Sequence, residues 1–151
     1  MGDFVIVRRK RSVNRVGQSD NVTLTLAKIN GKTQDLTLSI GHEVLKELDW
    51  DPKTQKVIFT EGTGKSLGTI LVRVAKTDEL RDAYALTMHK GPGASDELDR
   101  AFTRIQIGNF STIEHVPENG MPMQVVSHRA FNGELTFKLP KWFGMRLKLE
   151  N

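Results

Sequence analysis

The chain has no cysteine among its 151 residues, which excludes disulfides, thiolate zinc sites and cysteine nucleophiles. It also lacks long apolar runs. The apolar stretch Phe4-Val5-Ile6-Val7 is followed at once by Arg8-Arg9-Lys10-Arg11, which is not the pattern of a signal peptide. No stretch reaches the roughly 18 apolar residues that a membrane-spanning helix needs. We therefore expect a soluble, cytoplasmic protein that makes no contact with a membrane.

Acidic and basic residues are balanced in the middle of the chain and unbalanced at its ends. Residues 1–20 carry five Lys and Arg against two acids, residues 21–120 carry twelve against fourteen, and residues 121–151 carry five against two. A basic terminal segment neutralises phosphates and gives nucleic-acid affinity that falls steeply with salt. Alternatively, a solvated arm or charged edge strand protects a sheet from pairing with another chain. The basic residues of the first segment are Arg8, Arg9, Lys10, Arg11 and Arg15.

Alternating apolar and polar residues predict a first β-hairpin. Every second residue is apolar in residues 22–26 and again in residues 36–40, and the turn sequence Asn30-Gly31-Lys32 lies between them. Because successive side chains of a strand point to opposite faces, we expect one face of this hairpin to enter a core.

A short helix is predicted directly after this hairpin. Three apolar residues fall on one face of residues 41–48, and Ser39 is available as the N-cap. Pro52 disfavours helical backbone at the residue before it, so the helix is expected to end before that point. The three apolar residues are Val44, Leu45 and Leu48.

A second hairpin follows the helix. Residues 57–59 and 69–72 are apolar enough to be strands, and a glycine-rich turn at residues 61–68 separates them. We expect this hairpin to share a core with the helix and the first hairpin. The predicted contacts join Leu38, Ile40, Leu45 and Leu48 to Val57, Phe59 and Leu71.

The second half of the chain carries weaker signals. Residues 77–85 are compatible with a helix, whereas residues 84–88 are compatible with a strand, and both alternatives stay open. Apolar residues at helical spacing in residues 97–102 predict one or two helical turns before Arg104.

A last hairpin is predicted around Asn132-Gly133, a strong turn dipeptide, with residues 124–126 paired to residues 135–139. Residues 36–41 and 135–140 share the same alternation and two identities, and each follows a turn that contains Asn-Gly. A true duplication would make the chain two related halves packed as a pseudo-dimer. Any two amphipathic strands after a tight turn look alike, however, and this alternative stays open.

Residues 36–74 resemble the AbrB/MazE swapped-hairpin DNA-binding domains. The pattern of that family is a strand that runs into a short helix, an acidic turn and a hairpin. Residues 36–40, residues 44–48, Asp51 and residues 57–74 stand in that order here. The chain departs from the family at Gly41, where proline is usual, and it lacks the glycine expected in the turn after the helix.

The resemblance implies an obligate dimer or a pseudo-dimer whose paired hairpins form a small barrel, with basic strand and loop residues contacting DNA. Closed two-fold pairs are the commonest assembly, which favours a homodimer over an internal pseudo-dimer. The expected division is a basic arm or edge strand at 1–20, a swapped-hairpin-like unit at 21–76 and a second β-rich unit at 77–151. Charge and position alone select the candidate DNA contacts, which are Arg8, Arg9, Lys10, Arg11, Arg15, Lys28 and Lys32.

Apparent catalytic motifs fail on their context. Gly62-Thr63-Gly64-Lys65-Ser66 ends like a phosphate-binding loop, but Phe59 stands where that motif needs glycine, and a strand follows where it needs a helix. The four histidines lack the spacing of a helical metal site. The sequence therefore predicts no catalytic residue, no metal and no other cofactor.

These observations predict a β-rich α+β fold, in which antiparallel hairpins form a small barrel with one to three short helices. The leading functional prediction is a non-enzymatic DNA-binding protein, such as a transcriptional regulator, that uses its basic N-terminal segment and hairpin loops. One alternative is a structural or assembly protein, such as a small phage or virion component. A further alternative is an antitoxin-like protein that binds a partner with its tail.

Overall fold

The computed structural model describes residues 20–29, 33–89, 100–116, 120–141 and 143–145. Within these ranges the chain is β-rich and every strand pairing is antiparallel, as predicted. The helix is α1 (His42–Leu48). In chain order the strands are β1 (Val22–Ile29), β2 (Thr33–Gly41), β3 (Lys56–Glu61), β4 (Thr69–Val74), β5 (Tyr84–Ala85), β6 (Thr87–His89), β7 (Arg100–Gln106), β8 (Ile113–His115), β9 (Met121–Val125), β10 (His128–Phe131), β11 (Glu134–Lys138) and β12 (Gly144–Met145).

Sheet A is a five-stranded sheet with the strand order β6-β7-β2-β1-β9. The pairing of β1 with β2 places Leu24 opposite Leu38, which confirms the predicted first hairpin. These two residues are fully buried, whereas Thr25 and Thr37, which alternate with them, are half-buried. One face of the hairpin therefore enters the core, as the alternation of apolar residues predicts.

Sheet B is a second five-stranded sheet with the strand order β10-β11-β4-β3-β5. The pairing of β3 with β4 confirms the predicted second hairpin. Val57 is fully buried as predicted, and Phe59 packs against the core while half-buried. The prediction that Leu71 enters the core is wrong, because Leu71 alternates with Ile70 and Val72, and these two side chains occupy the buried face.

The predicted helix is present as α1, which contacts β2 and β7 of sheet A and β10 of sheet B. Its buried residues are the three predicted, Val44, Leu45 and Leu48. Ser39 is not the N-cap, because β2 stays paired through Gly41 and keeps Ser39 opposite Phe102 of β7. Gly41 takes the N-cap position with extended backbone and no side-chain hydrogen bond. None of the described helices is long and apolar enough to cross a membrane.

Two predictions for the second half are corrected by strand pairing. The helical turns expected at residues 97–102 are wrong for Arg100 to Phe102, which belong to β7, because pairing with both β2 and β6 overrides the helical spacing. Residues 97–99 lie outside the described ranges. The last hairpin does turn at Asn132-Gly133, but its first strand is β10, while β9 pairs with β1 in sheet A.

Both alternatives for residues 77–88 are realised in part. Thr77–Asp82 forms a short 3-10 helix, and β5 and β6 follow it. The polar residues at the start of this segment support a helical turn, while the residues after Ala83 extend into strands because sheet edges are available to pair with them.

Two stretches of chain lie along the edges of both sheets. Residues 84–89 pair first with β3 and then with β7, and buried Leu86 separates the two pairings. The second stretch is β9 and β10, joined by Val126 and Ser127. The Val126 N–H donates a hydrogen bond to the Val22 carbonyl of sheet A at 3.0 Å. The Ser127 carbonyl accepts a hydrogen bond from the Lys138 N–H of sheet B at 3.1 Å. Among the described residues neither sheet closes on itself, and one buried apolar cluster lies between them.

Each sheet joins a hairpin from residues 21–76 to a hairpin from the later part of the chain. In sheet A the hairpins β1–β2 and β6–β7 meet through β2 and β7, and in sheet B the hairpins β3–β4 and β10–β11 meet through β4 and β11. The joined strands are in every case the second strands of their hairpins. If the two parts of the chain are equivalent, β2 corresponds to β7 and β4 corresponds to β11. Residues 36–41 lie in β2, and the similar residues 135–140 lie in β11 and directly after it, so the two stretches do not belong to corresponding strands. The division at residue 76 itself stays a prediction.

Candidate functional site

Most of the predicted DNA contacts lie outside the described residues. Lys28 is in β1, opposite Gln34 of β2, near the turn end of the first hairpin. The described ranges therefore do not bring the predicted contacts together, and their role stays a prediction. The candidate contacts outside these ranges are Arg8, Arg9, Lys10, Arg11, Arg15 and Lys32.

The phosphate-loop-like sequence at residues 62–66 forms the connection between β3 and β4. Gly64–Ser66 is a single 3-10 turn, and β4 begins soon after it at Thr69. A phosphate-binding loop needs a helix whose N-terminus follows the turn, so this connection has the wrong geometry. In the part of the chain that the structure describes, no three His, Asp or Glu side chains group closely enough to hold a metal ion.

A cleft of about 650 Å³ lies beside β3. It opens between β3, the segment Thr77–Asp82 with the start of β5, and the 3-10 turn Ile107–Asn109 that follows β7. Its volume falls within the range of roughly 300–1,000 Å³ that is usual for ligand sites. Its lining includes Phe59, Glu61, Asp82, Tyr84, Asn109 and Phe110.

Three aromatic rings give the cleft an apolar wall. The ring of Phe59 meets Tyr84 edge-to-face at 5.3 Å between centroids and meets Phe110 edge-to-face at 6.4 Å. Such arrangements are favourable because the positive edge of one ring faces the negative face of the other. Asn109 Nδ2 donates a hydrogen bond to the Tyr84 hydroxyl, which ties the two sides of the cleft together at one end.

Glu61 ties the sides together at the other end. Its carboxylate accepts hydrogen bonds from Ser111 Oγ at 2.6 Å, from Thr112 Oγ1 at 2.9 Å and from the Thr112 N–H at 3.1 Å. Partial burial alone would raise the pKa of Glu61, but these hydrogen bonds together outweigh it and hold the pKa below its ordinary value of 4.5. The group is therefore charged at neutral pH, and among the described residues no cation pairs with it.

A bidentate ion pair lies at the rim of the cleft. Arg73 Nη1 and Nη2 donate to the two carboxylate oxygens of Glu79, each at 2.7 Å. Hydrogen bonds from Arg73, and then from the Lys76 N–H, lower the pKa of Glu79 to about 2, and the same contact with Glu79 raises the pKa of Arg73. The remaining charged residues of the rim are Asp82 and Arg81. Arg73 neutralises the charge of Glu79. The charged side chains that remain at the cleft are the two carboxylates of Glu61 and Asp82 and the guanidinium of Arg81, so the cleft carries more negative than positive charge.

A second feature is the exposed aromatic ring at the tip of the last hairpin. Phe131 is 61% exposed, and the Arg129 guanidinium lies over its ring at 5.3 Å from the centroid. Both side chains project from the outer side of β10, because the alternating Ala130 packs against the core. An exposed ring with a cation beside it can stack on a planar group such as a nucleic-acid base.

The sequence pattern gives no signal for the cleft. Glu61, Tyr84 and Asn109 belong to three elements that only tertiary structure brings together. Phe131 does carry a local signal, since a large aromatic residue directly before Asn132-Gly133 occupies the exposed end of a two-residue hairpin.

Comparison with protein-family models, with curated proteins and with solved structures gives no match to this chain. The resemblance of residues 36–74 to a known family therefore rests on the sequence pattern alone.

Proposed function

We propose that this protein binds DNA as a single chain built of two related halves, with transcriptional regulation as its role. The observation that carries the proposal is the order of the hairpins, in which each sheet joins one hairpin of residues 21–76 to one hairpin of the later segment through their second strands. Two equivalent halves in one chain are what the resemblance to swapped-hairpin DNA-binding domains implies for a pseudo-dimer.

We also propose that the two sheets close into the small barrel that the resemblance implies. The stretch β5–β6 and the stretch β9–β10 each lie along both sheets, and a strand that bends from one sheet into the next forms the corner of such packings. With each stretch counted as one strand, the ring would run β1, β2, β7, β5–β6, β3, β4, β11 and β9–β10. Closure of this kind would protect the paired parts of the sheet edges from other chains and would leave residues 59–61 of β3 uncovered by β5.

Basic residues at the ends of the chain supply the proposed DNA contacts. The formal charge of +4 arises from the terminal segments, since residues 21–120 carry more acids than bases. Lys28 and Lys32 near the first hairpin turn would add phosphate contacts, and the pair of Arg129 and Phe131 would add stacking. The main group is Arg8, Arg9, Lys10, Arg11 and Arg15.

The test is a titration of duplex DNA by fluorescence anisotropy at several salt concentrations. Replacing the four consecutive bases at positions 8–11 with alanine should weaken binding to all sequences alike and should reduce the salt slope by about 3–4 units. The matched control replaces four exposed lysines of the folded body, Lys46, Lys53, Lys56 and Lys65. Unchanged affinity and slope after the first replacement, or an equal loss after the second, would remove the N-terminal segment from the mechanism.

A further inference from the structure

Part of the edge of β3 is open to the cleft. β3 pairs with β4 along most of its length, but on its other side the pairing seen within the described ranges is that of β5 with Lys56 and Val57. The Ala75 N–H donates to the Lys56 carbonyl at 2.8 Å, and the Gly62 N–H donates to the Thr69 carbonyl at 2.8 Å. These two bonds show that even-numbered residues of this stretch exchange hydrogen bonds with β4.

The backbone groups of Phe59 and Glu61 therefore point the other way, toward the cleft, because bonded and non-bonded residues alternate in an antiparallel ladder. Among the described residues no strand pairs with this side of Phe59 or Glu61. A strand edge with free N–H and C=O groups is a template for another extended chain. Tyr84, the first residue of β5, lies opposite Val57, and the open edge begins beyond this pair.

The chemistry around this edge selects the kind of chain that fits it. Phe59 and Phe110 offer apolar surface, and Glu61 and Asp82 offer negative charge against the single guanidinium of Arg81. Glu61 is fixed in position by its three hydrogen-bond donors and keeps its charge. Phosphate groups of a nucleic acid would be repelled by these carboxylates, whereas lysine and arginine side chains would be attracted.

We propose that the cleft binds an extended, basic segment of a partner protein, which adds to β3 as a further strand. The backbone of the segment pairs with Phe59 and Glu61, whose side chains lie on one face of β3 because they are two residues apart. Lysine and arginine side chains on the same face of the segment pack their aliphatic stems on the aromatic wall and direct their charges toward Glu61 and Asp82. This site is separate from the proposed DNA contacts, and its presence favours an assembly role that does not depend on DNA binding.

The probe is a labelled peptide of sequence Lys-Val-Lys-Val-Lys-Val, titrated against the full chain by fluorescence anisotropy. A peptide with Glu in place of Lys should bind at least about tenfold more weakly because its charges are repelled. A peptide N-methylated at every residue should also bind at least about tenfold more weakly because it lacks backbone donors. Hydrogen exchange at the Phe59 amide should slow when the unmodified peptide binds.

Variants locate the binding to the cleft. Glu61→Gln and Asp82→Asn should each weaken binding of the basic peptide by about three- to fivefold, since each removes one partly solvated charge. Glu43→Gln, on the exposed side of α1, is the control and should leave the affinity unchanged. Asp82 is exposed, so its variant tests the proposal even where Glu61→Gln impairs folding. Equal binding of the three peptides, no effect of Asp82→Asn, or unchanged exchange at Phe59 would overturn the proposal.

Discussion

At the scale of single residues, Glu61 connects two parts of the chain that are far apart in sequence. Its carboxylate receives three hydrogen bonds from Ser111 and Thr112, and Thr112 is only 1% exposed. Removing the carboxylate would leave buried donors without their acceptor, a loss of about 1–3 kcal/mol for such groups. Glu61 therefore holds the segment after Ile107–Asn109 against β3.

The first prediction is that Glu61 makes the free energy of unfolding depend on pH in the acidic range. Its pKa in the folded protein lies below the ordinary 4.5, so its stabilising effect is complete above the unfolded pKa and is lost as the pH falls through the folded value. The difference in stability between the native chain and Glu61→Gln should therefore shrink between about pH 6 and about pH 3.

Urea denaturation at a series of pH values measures this difference. Thr60→Ala is the control, because Thr60 is an exposed residue of the same strand and does not titrate. The stability difference for Thr60→Ala should stay constant over the same range. A constant difference for Glu61→Gln as well would show that the hydrogen bonds do not stabilise the ionised carboxylate.

At the scale of elements, α1 ends at a residue whose backbone conformation is unusual for any amino acid other than glycine. Asp49 has φ 56° and ψ 36°, the left-handed conformation, and its N–H donates to the carbonyls of Leu45 and Lys46. Glycine is the preferred residue at such a helix end because it has no Cβ to clash. Asp49 thus stands where the family resemblance leads one to expect the missing glycine.

The second prediction follows from this geometry. Asp49→Gly should raise the free energy of unfolding by about 0.5–1 kcal/mol, because relief of the strained backbone outweighs the greater freedom of the unfolded chain. The control is Asp51→Gly, which should destabilise, since the Asp51 carboxylate accepts from the Lys53 N–H and from Thr54 Oγ1. Chemical denaturation measures both, and destabilisation by Asp49→Gly would show that the aspartate side chain itself supports the turn.

Local pattern predicts the elements of this fold better than their partners. The hairpin β1–β2 and the buried face of α1 follow from the spacing of apolar residues, because a period of two or 3.6 residues is a property of neighbouring residues in the sequence. Two other pairings depend on sheet edges that distant parts of the chain form. Residues 100–102 pair with β2 and β6, and β9 pairs with β1. The cleft fails to show in the sequence for the same reason, since Glu61 meets Thr112 only after both sheets have formed.

At the scale of the whole molecule, residues before and after position 76 belong to the same buried apolar cluster. Val22 and Leu38 of the first half and Ala101 and Phe137 of the second belong to one buried cluster. A unit of about 55 residues with two hairpins and one short helix buries too little apolar surface to be stable alone and needs a twin. The described part of residues 77–145 provides a hairpin for each sheet, so we expect the chain to supply that twin itself.

The last prediction is that the protein is a monomer of 17.0 kDa in solution. Light scattering at micromolar concentration should give this mass, and the midpoint of unfolding should not change with protein concentration, because no second chain is lost on unfolding. Phe131→Ser is the control, since an exposed ring can promote weak association and the variant should have the same mass. A dimer that persists in Phe131→Ser and unfolds with a concentration-dependent midpoint would instead require hairpins exchanged between two chains, and the internal pseudo-dimer would then be wrong.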